Sequence, residues 1–279
     1  MPQSKRNLYI IAAASLLLIF VVIYFLFIFQ KQQKQIKVND TPAEIKQITD
    51  VDISKRPFIT LTPTANGSEI IISIENMQEF ENIEYELTYL ADNPQIPNEK
   101  IERGATGTDI NTKEDKYKKS ILLGTASKGA ASPDRGITDG KLTLHLFKGA
   151  IEYQSESKWQ LLQVGLTTKE IISEDGSLDI KLPSFTKDYY AILADTVGIP
   201  KKGEFDINKV QLPVYGVFST APKFPKKGSL SIKTDKQDPK LFVYNHQDSI
   251  WGNQDATREG DTLTSQIEFF STFVVVSSK

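Results

Sequence analysis

The chain has 279 residues, with 33 basic and 35 acidic side chains and a formal net charge of −2. It contains no cysteine, which excludes disulfides, thiolate catalysis and cysteine-ligated metal sites, and its two histidines leave little material for histidine chemistry. Residues 1–40 are basic overall, so the acidic excess lies in residues 41–279. Because nucleic-acid binding needs clustered lysine and arginine, we expect no nucleic-acid partner.

The first element is an uncharged apolar run at residues 8–29, from Leu8 to Phe29. A helix of this length spans about 33 Å, enough to cross a hydrocarbon core of about 30 Å. A cleaved signal peptide would have a shorter apolar core that ends in small residues, whereas this run ends in Phe-Ile-Phe. The run therefore predicts an uncleaved signal anchor that crosses the membrane lipid bilayer, preceded by a short cytoplasmic tail at residues 1–7.

Basic residues flank this segment on both sides, so charge alone leaves its orientation nearly undecided. Long C-terminal domains translocate largely regardless of charge, and we expect the body to lie outside the cytoplasm. Residues 30–56 are predicted to form a juxtamembrane stalk. Within it, Thr41-Pro42-Ala43-Glu44 has the pattern of a helix start, with Thr41 as the N-cap and Pro42 at the first helical position.

From residue 57 onward, apolar and polar residues alternate, which is the pattern of half-buried strands. Alternation is clearest at residues 83–89, 142–146 and 263–269. Further strands are predicted at residues 58–62, 69–75, 119–123, 159–164, 178–182, 189–194, 214–220, 230–233, 241–244 and 272–276. Asn66-Gly67 predicts a tight turn between the first two of these. This pattern indicates an all-β fold of sandwich-like modules.

Two breaks rich in glycine, proline and lysine, at residues 198–203 and 221–228, indicate a change of module. We predict an immunoglobulin-like β-sandwich at 57–205 and a smaller β module at 206–279. A short helical turn is predicted at 113–118. The polar stretches at 91–117 and 124–140 are predicted to be long loops, either disordered insertions or partner-binding segments.

Two stretches resemble known modules. The C-terminal end is similar to that of many bacterial extracellular β modules, and the residues that match are Leu241, Tyr244, Trp251, Phe270, Ser271, Thr272 and Phe273. Leu178-x-Ile180 followed by Asp188-x-Tyr190 resembles the last strands of immunoglobulin-like sandwiches, without the two cysteines of the immunoglobulin pattern. The resemblance implies a membrane-anchored bacterial surface protein with immunoglobulin-like β-sandwich modules, and it implies no specific activity.

Catalytic motifs are sparse. S-x-x-K occurs at Ser155–Lys158 and Ser184–Lys187, which we place in loops, but its companions S-D-N and K-T-G are missing. Two matches are about what chance gives in a chain with this much serine and lysine. Neighbouring acids such as Glu174 and Asp175 would suit glycoside hydrolysis, which needs two carboxyl groups across a cleft. We interpret them as solvated and predict no catalytic residue, no cofactor and no enzymatic activity.

The remaining candidates are binding residues. His145 is interpreted as an outward strand residue and His246 as a solvated loop residue. Calcium takes oxygen ligands from flexible loops, and the candidate ligands near Trp251 are Asp248, Asn253, Asp255, Glu259 and Asp261. A plain polar hairpin is the alternative that we favour there. Among aromatic residues considered for glycan stacking, Trp159 is expected in the core, and the surface candidates are Trp251 and Tyr244.

The leading hypothesis is a single-pass cell-membrane protein whose β-sandwich ectodomain binds or scaffolds a protein or glycan of the cell envelope. A second hypothesis is an envelope hydrolase whose site is built from scattered carboxylates or a Ser–Lys pair. A third is an accessory subunit of a membrane complex, with the small residues Ala12 to Ser15 offering a patch for helix packing. A deep cavity with two facing carboxylates would favour the second hypothesis.

Overall fold

The computed structural model describes residues 44–127, 129–200 and 203–277. These residues form an all-β fold with several sheets, which confirms the predicted fold class at that level. The predicted transmembrane segment at 8–29 and the first part of the stalk lie outside the described residues. No helix in the described ranges is long and apolar enough to span a membrane.

The strands of the described chain, in order, are β1 (Glu44–Gln47), β2 (Phe58–Pro63), β3 (Glu69–Glu75), β4 (Asn82–Asp92), β5 (Lys100–Gly107), β6 (Lys116–Leu122), β7 (Gly124–Ser127), β8 (Ala130–Pro133), β9 (Thr138–Lys148), β10 (Ile151–Val164), β11 (Glu170–Ile172), β12 (Leu178–Lys181), β13 (Tyr189–Thr196), β14 (Val214–Ser219), β15 (Gly228–Lys233), β16 (Pro239–Asn245), β17 (Ile250–Gln254), β18 (Ala256–Glu259), β19 (Thr262–Ile267) and β20 (Thr272–Ser277). Short 3₁₀ helices occur at Ile48–Asp50, Ile53–Lys55 and Ile207–Lys209.

Four sheets can be traced through the described residues. The largest has ten strands in the order β17-β16-β20-β14-β13-β10-β9-β4-β5, with β1 joined in parallel to β10. A five-stranded sheet has the order β11-β12-β15-β19-β18, a three-stranded sheet has the order β2-β3-β6, and β7 pairs with β8. Apart from β1 with β10, the paired strands run antiparallel.

The ten-stranded sheet is covered on both faces where β13 and β14 run. Ile192 and Ala194 of β13 join the core beneath the three-stranded sheet, whereas Ala191 and Leu193 join the core beneath the five-stranded sheet. Successive side chains of a strand point to opposite faces, so one strand serves two cores. The continuous apolar sequence of β13 follows from this, because neither face of the strand meets water.

Trp159 of β10 lies at the junction of the two halves of the ten-stranded sheet. On one side it is opposite Gly140 of β9, and on the other it is opposite Ala194 of β13. Its side chain is 1% exposed and packs edge-on against Tyr89, with 6.0 Å between the ring centroids. A Cβ atom on Gly140 would lie 2.3 Å from the indole ring, so the glycine provides the space that the tryptophan occupies.

Most of the predicted strands are confirmed, including the ambiguous segment that became β13. The Asn66-Gly67 turn is also confirmed, with Gly67 at a φ of 68°. The two long loops at 91–117 and 124–140 are wrong, because they contain β5, β7, β8 and the starts of β6 and β9. Their half-buried faces carry small or charged residues such as Arg103 and Ala105, so the hydrophobic alternation that marks a strand is weak there.

The helical predictions are wrong where the structure describes them. The segment at 113–118 is a turn that leads into β6 at Lys116. The helix start at Thr41–Glu44 is not followed by a helix, because Glu44–Gln47 is a strand paired with β10. Ile48 and Ile53 are buried in the body, so residues 44–56 of the predicted stalk are part of the fold. Packing on the body outweighs the local capping pattern.

The module boundary predicted at about 205 lies between β13 and β14, which pair with each other along their lengths. Strands β12 and β15 pair across the same position. The two cores do not follow one another along the chain, because Val164 belongs to the second core whereas Ile192 and Phe218, further along, belong to the first. The bounds 57–205 and 206–279 of the two modules stay a prediction.

Replacing Gly140 with alanine should destabilise the fold, because the added methyl group has no space beneath Trp159. We expect the free energy of unfolding to fall by about 1–3 kcal/mol, as is usual for overpacking. The matched control is Gly252→Ala in β17, where the nearest atom is the Val243 Cγ2 at 3.9 Å. The control should change stability by no more than about 0.5 kcal/mol in urea unfolding. Equal losses in both variants would contradict this packing.

Candidate functional site

One candidate site is a groove of about 370 Å³ between the three-stranded sheet and the end of the ten-stranded sheet. In β3 the isoleucines at 70, 72 and 74 point into the core, so Ser73 and Glu75 point to the opposite face. The strand register places Thr60 and Lys118 on either side of Ser73. These three residues form the floor of the groove, which we call the aromatic groove after its walls.

The wall of the aromatic groove is a cluster of rings around His246. Phe58 is stacked parallel to the imidazole at 6.2 Å, and Phe218 and Tyr244 lie at 5.2 and 5.3 Å from it, measured between ring centroids. Burial, with a contribution from the positive charge of Lys116, lowers the pKa of His246 to about 4. The imidazole is therefore neutral at pH 7 and packs as an aromatic ring.

His246 is held by a turn rather than by a strand. The Asn245 Oδ1 accepts hydrogen bonds from the backbone N–H groups of Gln247 and Asp248, at 2.9 and 3.3 Å. The His246 Nε2 lies 3.3 Å from the Thr272 Oγ1. The predicted turn is thus confirmed, whereas the predicted solvated histidine is wrong, because β14 and β2 approach the turn and cover the ring.

The second candidate site is a cavity of about 370 Å³ on the other face of the ten-stranded sheet. Asp195 and Tyr215 face each other in the register of β13 and β14, and the turn between β11 and β12 brings Glu174 and Asp175 over them. Lys158 of β10 closes one side and pairs with Glu174, with 2.8 Å between the Nζ and the Oε2. We call this the acidic cavity.

The two aspartates of the acidic cavity have opposite pKa shifts. Burial raises the pKa of Asp195 to about 6, and the charges of Asp175 and Glu174 act in the same direction. Asp175 is different: burial acts against ionisation, but hydrogen bonds from Ser173, Tyr215 and Ser177 hold its pKa well below the usual range. The Tyr215 hydroxyl donates to the Asp175 Oδ2 at 2.6 Å, and the Ser173 hydroxyl donates to the Oδ1 at 2.6 Å.

This arrangement has a definite chemical capacity. At pH 5 Asp195 is mostly protonated and can donate a proton, while Asp175 is ionised. Such a pair resembles the acid and base of carboxylate-dependent hydrolysis. However, both oxygens of Asp175 already accept hydrogen bonds from within the fold. Its primary role is therefore to fix the β11–β12 turn against Tyr215.

The predicted calcium ligands do not converge. Asp248 accepts a hydrogen bond from the Asn245 Nδ2 at 2.7 Å, and Asp261 accepts one from the Thr262 Oγ1 at 3.1 Å. Asp255 immediately precedes β18 and Glu259 is its last residue, and both are exposed. Within the residues that the structure describes, no group of three histidine, aspartate or glutamate side chains is arranged to hold a metal ion. The carboxylates lie along successive hairpins.

The two predicted surface aromatics occupy different positions. Tyr244 lies in the wall of the aromatic groove. Trp251 is half-buried between Phe205 and Tyr244, with ring centroids at 5.0 and 5.2 Å, and it contributes to a small apolar cluster. Trp251 therefore supports the groove wall from behind. Trp159 is in the core, as predicted.

The other residues considered from the sequence have local partners. His145 is half-buried on β9, and its Nδ1 lies 2.7 Å from the Glu152 Oε1. Ser155 and Lys158 are both in β10, so their predicted loop is wrong, and Lys158 pairs with Glu174 instead of a serine. A Ser–Lys dyad is thus not formed by this pair.

Sequence reasoning missed Ser73, Lys118 and Asp195. Asp195 did have a signal, because it follows Leu193 at period two in a continuously apolar strand, where a carboxylate is unexpected. Ser73 had a similar signal as the polar residue in an isoleucine-rich strand. Their grouping depends on contacts between strands that are distant in sequence, which periodicity does not reveal.

No family model matches the sequence, and the search of curated proteins found no match either.

The raised pKa of Asp195 makes stability depend on pH. The folded carboxyl group keeps its proton up to about pH 6, whereas the unfolded group releases it near 3.8, so the free energy of unfolding falls as pH rises through this interval. Asp195→Asn should abolish this fall and stabilise the protein at pH 7.5 by about 1–2 kcal/mol, allowing for partial exposure of the side chain.

The measurement is urea unfolding between pH 4 and 8, with Asp255→Asn at an exposed hairpin position as the control. The control should keep the wild-type pH dependence. An unchanged pH dependence in Asp195→Asn would contradict the burial of this carboxyl group.

Proposed function

We propose that the protein is a single-pass membrane-anchored protein of the cell envelope, whose β-sandwich ectodomain binds a ligand or partner in the aromatic groove. The observation that carries the proposal is the groove itself, because ring-lined concave sites with a few polar groups are typical of binding sites. Its volume of about 370 Å³ lies in the range of small-ligand sites.

The anchor and the groove support different parts of this proposal. The apolar run at 8–29 has the length and composition of a membrane-spanning helix. The groove is formed on one side by β2, β3 and β6 and on the other by β14 and the turn after β16, so its walls stand on paired strands. Rigid walls lower the conformational entropy lost on binding.

The anchoring part predicts a membrane-bound body that is accessible from outside. In cells that express the full chain, the protein should sediment with membranes, and protease added to intact cells should remove the body. Deletion of residues 2–40 should release the body from the membrane fraction. A cytoplasmic marker protein serves as the control and must stay intact. Protection of the body, while an external marker is digested, would contradict the topology.

The binding part predicts that the groove contacts another molecule in cells. A photo-crosslinking amino acid at Gln247, an exposed residue at the groove rim, should give a discrete adduct by mass spectrometry. The same amino acid at Glu259, equally exposed on β18, should give no such adduct. Identical adducts from both positions would indicate random collisions and would contradict a site in the groove.

Hydrolysis is the second candidate function, favoured by one observation: Asp195, with its pKa of about 6, lies beside an ionised Asp175 in a cavity. It ranks below binding because Asp175 is fully engaged in hydrogen bonds to the fold. The test is hydrolysis of a nitrophenyl glycoside. Activity that is lost in Asp195→Asn but retained in Asp255→Asn would favour hydrolysis over binding.

A further inference from the structure

Ser73 is the central residue of the groove floor and has an unusual environment. Its side chain is 6% exposed, and its hydroxyl has no hydrogen-bond partner within the described residues. Buried hydroxyl groups are normally paired, because an unpaired one loses its hydrogen bonds to water without replacement. A hydroxyl left in this state at the bottom of a groove is a donor that an acceptor from another molecule can complete.

The charge of the floor indicates which acceptor. Lys116 forms an ion pair with Glu75, with 2.6 Å between the Nζ and the Oε1, so these two charges balance. Lys118 is opposite Ser73 in the strand register and forms no ion pair within the described part of the chain. With the histidine neutral, Lys118 leaves the groove with one uncompensated positive charge. A hydroxyl donor and an unpaired ammonium group at facing strand positions of one groove favour a carboxylate.

The walls of the groove indicate which kind of chemical group is attached to the carboxylate. The half-buried rings of Tyr244 and His246 line the groove above the floor, and the buried rings of Phe58 and Phe218 pack against His246. Aromatic and apolar groups pack favourably against such rings, and edge-to-face or offset contacts add to the gain from burial. Thr60 and Thr62 add hydroxyl groups along the same strand, which suit the amide groups of a peptide backbone.

We propose that the aromatic groove binds the carboxyl end of a peptide whose last side chain is aromatic or apolar. Lys118 and Ser73 bind the terminal carboxylate, and the rings around His246 receive the last side chain. This inference rests on the proposed binding function, since it names the ligand class of the same groove.

The test uses the full chain in detergent and N-acetyl-phenylalanine as the probe, with binding measured by calorimetry or ligand-observed NMR. N-acetyl-phenylalaninamide, which lacks the negative charge, should bind at least about tenfold more weakly. Lys118→Gln should weaken the binding of the acid by a similar factor. Lys119→Gln is the matched control, because Lys119 is the next residue, lies on the other face of β6 near Asp109, and should leave binding unchanged.

The Ser73→Ala variant distinguishes a role of the hydroxyl in ligand binding from a role in the stability of the fold. Since the hydroxyl lacks a partner within the described fold, its removal should leave the free energy of unfolding unchanged or raise it, while the affinity for N-acetyl-phenylalanine falls. A Ser73→Ala variant that loses stability and keeps its affinity would assign the hydroxyl to the fold and overturn its role in binding.

Three results would overturn the ligand class. They are no binding of N-acetyl-phenylalanine, equal binding of the acid and the amide, and binding of glucuronate as tight as that of the aromatic acid. Crosslinking from Gln247 stays informative in each case. Adducts that persist would show that only the ligand class fails, whereas their absence would show that the binding function fails as well.

Discussion

The packing of Trp159 over Gly140 is the contact on which the sheet arrangement depends. Trp159 lies where β10 leaves its pairing with β9 and begins its pairing with β13. The indole occupies space that only a glycine on β9 leaves open. At this residue β13 joins the sheet, with Ala194 opposite Trp159, and β14 pairs with β13 in turn. Because β14 supplies Phe218 to the aromatic groove and Tyr215 to the acidic cavity, both sites depend on this one junction.

The two sites contain titratable groups with opposite responses to acid. The folded state keeps His246 neutral above about pH 4 and keeps Asp195 neutral below about pH 6. Acidification therefore costs stability through the histidine and restores it through the aspartate. Between these two values neither side chain is predominantly charged within the fold. These two side chains thus contribute least buried charge in mildly acidic conditions, and their contributions to stability partly cancel in that interval.

Periodicity predicted much of the fold, because strands such as β3, β4 and β9 have one apolar face and one polar face. It failed for β5, β7 and β8, where glycine, alanine, serine and charged residues hide the pattern. It could not predict the sites, since Thr60, Ser73 and Lys118 meet only through pairing between strands. The solvated-loop interpretation of His246 failed for the same reason: the rings that cover it come from Phe58 and Phe218, far away in the sequence.

The shared strand β13 has a consequence for how this sequence can evolve. Ile192 and Leu193 are neighbours in the chain, yet they belong to different cores. Insertion or deletion of a single codon within β13 would exchange the two faces beyond that point and place each side chain in the wrong core at once. Length changes should therefore accumulate in the turns and be absent from this strand. Recombination therefore cannot replace one core and leave the other intact, because both cores contain residues of β13.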